Sequence, residues 1–168
     1  MSTPAERLSL LFDTLGDKLY RLARRLTSSA ADAEDLLQEA FLKAAQSAAS
    51  IPDESPRAEA WLTRVLVNTR RDQWRRTGVR TRAMPMLQAA APQSQPSAES
   101  ALIAKEAVWS ALDALHPRRR AILILAELDG MPPEAIATLL GLAVMTVRWH
   151  LSLARRELRQ SLAPFMEH

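Results

Sequence analysis

Residues Glu134–Leu158 read EAIATLLGLAVMTVRWHLSLARREL, and this stretch decides the fold. Two helices meeting at a tight angle need a small residue at their inner contact, a glycine turn, and an apolar anchor on each side. Ala137, Gly141, Leu142, Val147 and Leu151 supply these in order. Gly141 suits the left-handed position that follows a helix. The outer face of the second helix then carries Met145, Thr146, Arg148, Trp149 and Ser152, with Arg155, Arg156 and Arg159 further along. Such a helix can enter a DNA major groove by its N-terminal turn. A helical hairpin with a solvated arginine face has the same spacing, so the pattern alone leaves both readings open.

The rest of the chain is read as helical too. Aliphatic residues and Ala are plentiful, while aromatics and Gly are scarce, which favours packed helices over strands. Thr3-Pro4-Ala5-Glu6 reads as a helix start with a capping box. Leu8, Leu11, Phe12, Leu15, Leu19, Leu22 and Leu26 follow as one apolar stripe, with Gly16 a candidate break. Ser28 and Ser29 end that helix and can cap the next, over about 30–49, which buries Leu36, Leu37, Ala40, Phe41 and Ala44. After the turn Ile51–Pro56, Ser55 caps and Pro56 opens a helix to about Arg76, with Trp61, Leu62, Val65, Leu66 and Thr69 inward. Periodicity vanishes between Thr77 and Ser100, where Pro, Gln and Ser predict a mobile linker. Beyond it, helices are expected at Leu102–Leu115, Pro117–Leu128, around Ile136–Leu140, and from Val147 to Leu162. The expected fold is all-α: two small helical domains, 1–76 and 101–168, joined by the flexible linker 77–100.

Charge is distributed unevenly. Residues 1–60 are net −3, residues 61–82 are net +6, and residues 83–168 are neutral, within a total of +3. An acidic block before a basic one suggests two different partners, with nucleic acid at the basic one. In the acidic block, Asp32, Glu34, Asp35, Gln38 and Glu39 share one helix with the adjacent pairs Leu36/Leu37 and Phe41/Leu42. One small core cannot easily bury all four, so one member of each pair should lie beside the carboxylates as a protein-binding surface. In the basic block, Arg64, Arg70, Arg71, Arg75 and Arg76 alternate with Trp61, Asn68 and Trp74. Arginines meet phosphates, and an aromatic face stacks on an unpaired base. Trp61 sits on the inward stripe and reads as core, which leaves Trp74 as the stacking candidate.

Other classes have less support. There is no Cys, hence no thiolate nucleophile and no Cys-ligated zinc. His116, His150 and His168 are scattered, and no metal, cofactor or catalytic-triad spacing appears, so no catalytic residue is assigned. No run reaches the length of a membrane span and the start lacks a signal pattern, so a soluble, cytoplasmic protein is expected.

Taken in order, these segments resemble the extracytoplasmic-function (ECF) sigma factors of bacterial RNA polymerase, over nearly the whole chain. DAEDLLQEAFLKA (32–44) is similar to that family's polymerase-clamp helix, AWLTRVLVNTRRDQWRR (60–76) to its promoter-melting segment, and residues 115–158 to its −35-reading domain. The resemblance implies that Asp35, Leu36, Gln38, Glu39 and Phe41 bind core polymerase. It implies that the loop Ile51–Arg57 and Asn68 cradle a flipped base, while Arg64, Arg71, Asp72, Trp74, Arg75 and Arg76 line the strand path at the −10 element. Pro117–Ala126 would face the polymerase flap. Met145, Thr146, Arg148, Trp149, His150, Ser152 and Arg155 would address the −35 element. An anti-sigma factor is an expected further partner. A stand-alone helix-turn-helix regulator is the alternative.

The chain departs from the family pattern where Met145 replaces a usual Gly, Trp149 a common Ser, and His150 and Leu153 usual basic residues. Ala143 also stands where a capping residue is common, which costs about 1 kcal/mol. These departures imply an unusual −35 sequence, weaker dependence on it, or use of Trp149 against an apolar partner.

Overall fold

The computed structural model describes residues 2–81 and 98–166, and every regular element among them is helical. The helices are α1 (Pro4–Leu26), α2 (Ala30–Gln46), α3 (Ser55–Thr81), α4 (Ala98–Ala114), α5 (Pro117–Glu127), α6 (Pro133–Leu140) and α7 (Val144–Met166), with a short 3-10 turn at Ala48–Ser50. No single helix among the described residues is long and apolar enough to cross a membrane.

The helix starts follow local chemistry. The Glu6 amide donates to Thr3 Oγ1 at 3.2 Å while the Thr3 amide donates to the Glu6 carboxylate at 2.8 Å, completing the capping box. Ser29 Oγ accepts the Asp32 amide at 3.1 Å and starts α2. Gly141 ends α6 at φ +65°, the left-handed conformation that its place after a helix implies. At the start of α7 the Ala143 carbonyl accepts the Val147 amide, and its methyl side chain offers no oxygen to the other free amides.

Several boundaries differ from those read in the sequence. Gly16 does not divide α1, because one interior glycine costs only about 1 kcal/mol, and the apolar stripe packs on the first core on both sides of it, half-buried at Leu8, Leu11 and Leu15 and buried from Leu19 on. α3 likewise runs on to Thr81, past the expected end at Arg76, and α4 begins at Ala98. Residues 77–81 and 98–100 of the expected linker are therefore helical, and 82–97 lie outside the described residues. α3 includes Ser55, one residue earlier than its expected capping role. α5 is capped by a residue read only as a breaker: His116 Nδ1 accepts the Arg118 amide at 3.2 Å.

Two cores result. The first joins Leu19, Leu22 and Leu26 of α1 to Leu36 and Ala40 of α2 and Leu62 and Leu66 of α3. The second joins Ile122 and Leu125 of α5 to Ile136 of α6 and Val147 and Leu151 of α7. They are not separate as the sequence suggested, since Ala121 and Ile124 of α5 pack into the first core. Residues Ala121 to Leu125 are all buried, and a helix apolar all round must be covered on both sides.

Candidate nucleic-acid and partner-binding surfaces

The acidic helix α2 presents Asp35, Gln38 and Leu42 on one exposed face, with Glu39 half-buried beside them. Leu42, at 66% exposure, is the apolar residue left beside the carboxylates. Phe41 is half-buried and meets the Phe12 ring edge-on at 4.8 Å. Leu36 corrects the expectation for this surface. It is fully buried in the first core, so it holds the helix in place and cannot touch a partner.

Glu39 is already engaged within the chain. Gln73 Nε2 and Arg76 Nη2 of α3 each donate to its carboxylate at 2.7 Å, and Lys43 lies at 3.4 Å. Burial pushes its pKa up, but the hydrogen bonds from Gln73 and Arg76 and the charges of Arg76 and Lys43 outweigh this and hold the carboxyl below its usual range. A charge reversal at Glu39 would break an α2–α3 link as well as any docking contact. Asp35 and Leu42 are the cleaner positions for testing that face.

Both tryptophans on α3 are half-buried, and Trp61 packs against the first core as expected. Trp61 is half-buried and opens onto a cavity of about 320 Å³ that is also lined by Lys43, Ser50, Asn68 and Asp72. An indole surface with an adjacent amide and carboxylate offers stacking and hydrogen bonding to an unpaired base. The loop after α2 is fixed beside it, because Arg7 Nη2 donates to the carbonyls of Ile51 and Pro52 at 3.0 and 2.6 Å and Nη1 pairs with Asp53 at 2.9 Å. Trp74, the expected stacking residue, instead packs edge-on against His116, with centroids 5.1 Å apart.

The basic face of α3 is divided. Asn68, Arg75 and Arg76 are exposed. Arg70 Nε donates to the Leu26 carbonyl at 2.9 Å and so caps the end of α1. Asp72 pairs with Lys43 at 3.2 Å. Arg64 lies so close to the α6–α7 turn that a β-carbon on Gly141 would stand 3.0 Å from Nη1. The Nε atoms of Arg64 and Arg71 are buried with no hydrogen-bond partner. Arg64, Arg71 and Trp74 therefore do not form the open strand path that the sequence implied, since α5 and α6 pack against α3.

On α7 the outer face is open. Met145 is exposed, as are Arg148, Ser152 and Arg155, and Trp149 is 57% exposed. Thr146 is half-buried. Arg148 pairs with Glu134 at 2.8 Å and Arg155 with Glu127 at 2.6 Å, which lowers the positive field of a helix already short of cations. Arg119 of α5 sits 5.7 Å from the Trp149 ring centroid, a cation-π contact. His150 departs from the expected reading face. It is half-buried with Nδ1 unpartnered, and burial followed by the charges of Arg119 and Arg118 lowers its pKa.

These surfaces lie within two family matches, Sigma-70 region 2 over residues 11–80 and Sigma-70 region 4 over residues 105–158. The chain is 36% identical over 154 residues to the ECF RNA polymerase sigma factor SigE of Mycolicibacterium smegmatis, covering 88% of this chain and 58% of that protein. It is 35% identical over 159 residues to the ECF RNA polymerase sigma factor SigL of Mycobacterium tuberculosis, covering 94% of this chain and 90% of that one. Among solved structures it resembles the sigma factor RpoE in complex with the anti-sigma factor NepR from Bartonella quintana, with a TM-score of 0.63, 25% identity, and 95% and 98% of the two chains covered. It also resembles CnrH in complex with the cytosolic domain of CnrY, with a TM-score of 0.58, 25% identity, and 93% and 87% covered.

Proposed function

The chain belongs to the ECF family of RNA polymerase sigma factors, and from that membership we propose how its surfaces divide the work of promoter-specific transcription initiation. The exposed ridge Asp35, Gln38 and Leu42 docks on core polymerase, with Glu39 and Phe41 at its edge. The cavity of Trp61, Asn68 and Asp72 receives a base extruded from the −10 element. Extrusion costs a few kcal/mol, which stacking and hydrogen bonds in a fixed pocket offset. Arg75 and Arg76 hold the strand by its phosphates. The open face of α7, from Met145 to Arg155, addresses the −35 duplex. Bond-making chemistry belongs to the polymerase, and the chain acts in the cytoplasm where that enzyme works.

The observation that carries this reading is the order and exposure of the three surfaces on one chain: acidic-apolar ridge, base-sized cavity, then bare recognition helix. An anti-sigma partner is inferred from the likeness to RpoE, which was captured with NepR. A stand-alone regulator is not favoured, because residues 11–80 match Sigma-70 region 2.

The test is co-elution with core polymerase followed by run-off transcription on genomic fragments. The chain should bind core and start RNA at defined sites. Asp35→Lys with Leu42→Ala should weaken core binding at least tenfold, equivalent to about 1.4 kcal/mol, while leaving helicity unchanged. Absence of core binding by the parent chain at low salt would reject the function, and unchanged binding by the double variant would reject the ridge.

A further inference from the structure

The outer face of α7 holds one stripe at helical spacing: Met145, Trp149, Ser152, Arg156 and Arg159. All five are exposed, Met145 at 72% and Trp149 at 57%. Arg148 and Arg155 flank the stripe, but Glu134 and Glu127 already hold them at 2.8 and 2.6 Å. Thr146 is half-buried, as is His150, whose Nδ1 is shut away from solvent. A recognition helix meets base edges with its N-terminal turns. Here those turns offer a thioether and an indole, with Ser152 as the next polar group on the stripe. The indole is also braced. The guanidinium of Arg119 on α5 stands 5.7 Å from its ring centroid, and Arg119 Nη1 donates to Glu157 at 2.6 Å, which fixes the cation in place.

We infer that Met145 and Trp149 are the specificity-determining residues of the −35 contact, that they select thymine by its methyl group, and that Arg119 positions the indole for this. The inference rests on the sigma-factor reading, because that reading lays α7 on the −35 duplex. In the major groove the thymine C5-methyl is the base feature that apolar side chains recognise, while the other edges present donors and acceptors. An indole and a thioether match the first and not the second. The two heads are one helical turn apart, about 6 Å along the axis, so the methyls they meet lie within about two base steps of one another. Selection by methyl contact also makes no demand on Arg148 and Arg155, which keep their glutamates. Further along the same stripe, Arg156 and Arg159 put two exposed guanidinium groups in line with the indole. That is the complement of a phosphate backbone rather than of an apolar protein patch.

The test uses holoenzyme assembled from core polymerase and the full chain, on a promoter fragment from which it initiates. Thymines of the −35 region on both strands are replaced singly by deoxyuridine, which deletes the methyl and leaves every hydrogen-bonding group in place. Replacement of the thymines in contact should weaken promoter binding about fourfold per methyl. Trp149→Ala combined with Met145→Ala should bind thymine and deoxyuridine promoters alike while still binding core. Arg119→Ala should lose part of the discrimination, and Arg119→Lys, which keeps a cation beside the ring, should recover it. Unchanged discrimination in Arg119→Ala would overturn the positioning role. Equal binding of thymine and deoxyuridine promoters by the parent would overturn the inference, as would discrimination that survives in the double variant or a −35 region without thymine on either strand. If, in addition, the double variant keeps full promoter affinity, the indole belongs to a protein partner instead. A parent that does not bind core fails differently, since it rejects the sigma-factor reading before any promoter is compared.

Discussion

Two helices of this chain carry the residues proposed to meet DNA, and they are presented differently. α3 is rich in arginine but has Arg64, Arg71 and Trp74 covered by α5 and α6. α7 is poorer in net charge, since Arg148 and Arg155 are paired with glutamates, but Met145 and Trp149 stand bare. Net charge in sequence is therefore a poor guide to which helix is available to DNA. Availability is set by what packs on each face, and here a single buried arginine, Arg120 of α5, fixes that packing by donating to the Arg25 and Thr27 carbonyls at the end of α1.

The most damaging change to this contrast is Arg120→Met. It leaves the Arg25 and Thr27 carbonyls without their partner, and stability in urea should fall by about 2–4 kcal/mol. A loss under about 0.5 kcal/mol, the range of an ordinary surface change, would mean that the seam between the two cores is not closed in solution.

Gly141→Ala sharpens the same contrast from the other side of the seam. A β-carbon at φ +65° costs about 1–2 kcal/mol, and here it also presses on Arg64. Adding Arg64→Ala should recover the steric part but not the backbone part. Full recovery would mean that the turn itself carries no strain.

Paired tryptophan truncations come next. Trp74→Ala removes a half-buried ring packed on His116 and should cost about 1 kcal/mol or more. Trp149→Ala should change stability by less than about 0.5 kcal/mol while altering −35 duplex binding. Equal thermal shifts for the two variants would erase the difference between covered and bare helices.

The last expected effect is a dependence on pH. Burial, then Arg119, Arg118, His150 and Arg75, lower the His116 pKa from its usual 6.5 to about 4. The unfolded chain therefore binds this proton first, so the contribution of His116 is complete above pH 6.5 and is lost as pH falls from 6.5 towards 4. Protonation would also remove the Nδ1 acceptor that caps α5. His116→Asn retains a capping acceptor without titrating, so its stability should fall less steeply across that window. Parallel slopes for parent and variant would contradict the assignment.

What the sequence made legible was local. Thr3 with Glu6, Ser29 with Asp32, and Gly141 after Leu140 are governed by partners three or four residues away, and all form as read. Choices between neighbours were harder. Leu36 and Leu37 are adjacent, and only the approach of α1 and α3 determines that Leu36 is the one fully inside. Trp74 is engaged because His116, at the start of α5, packs on it, and nothing within 60–76 encodes that contact. Glu39 read only as part of the docking surface, because its partners Gln73 and Arg76 lie on another helix. Arg120 was the least legible of all, since its burial depends on carbonyls more than ninety positions earlier in the chain. Two signals in the sequence did point towards it. The unbroken apolar run Ala121–Leu125 asks for cover on two sides, and an arginine at the edge of such a run stands beside that cover.

The most direct measurement places two dyes across the seam. The chain has no native cysteine, so cysteines at Arg24 and Leu128, exposed neighbours of the Arg25–Asp129 pair, can be labelled specifically. Single-molecule energy transfer should show one short-distance population in the free chain. A long or broad distribution in the free chain would contradict the masked α3.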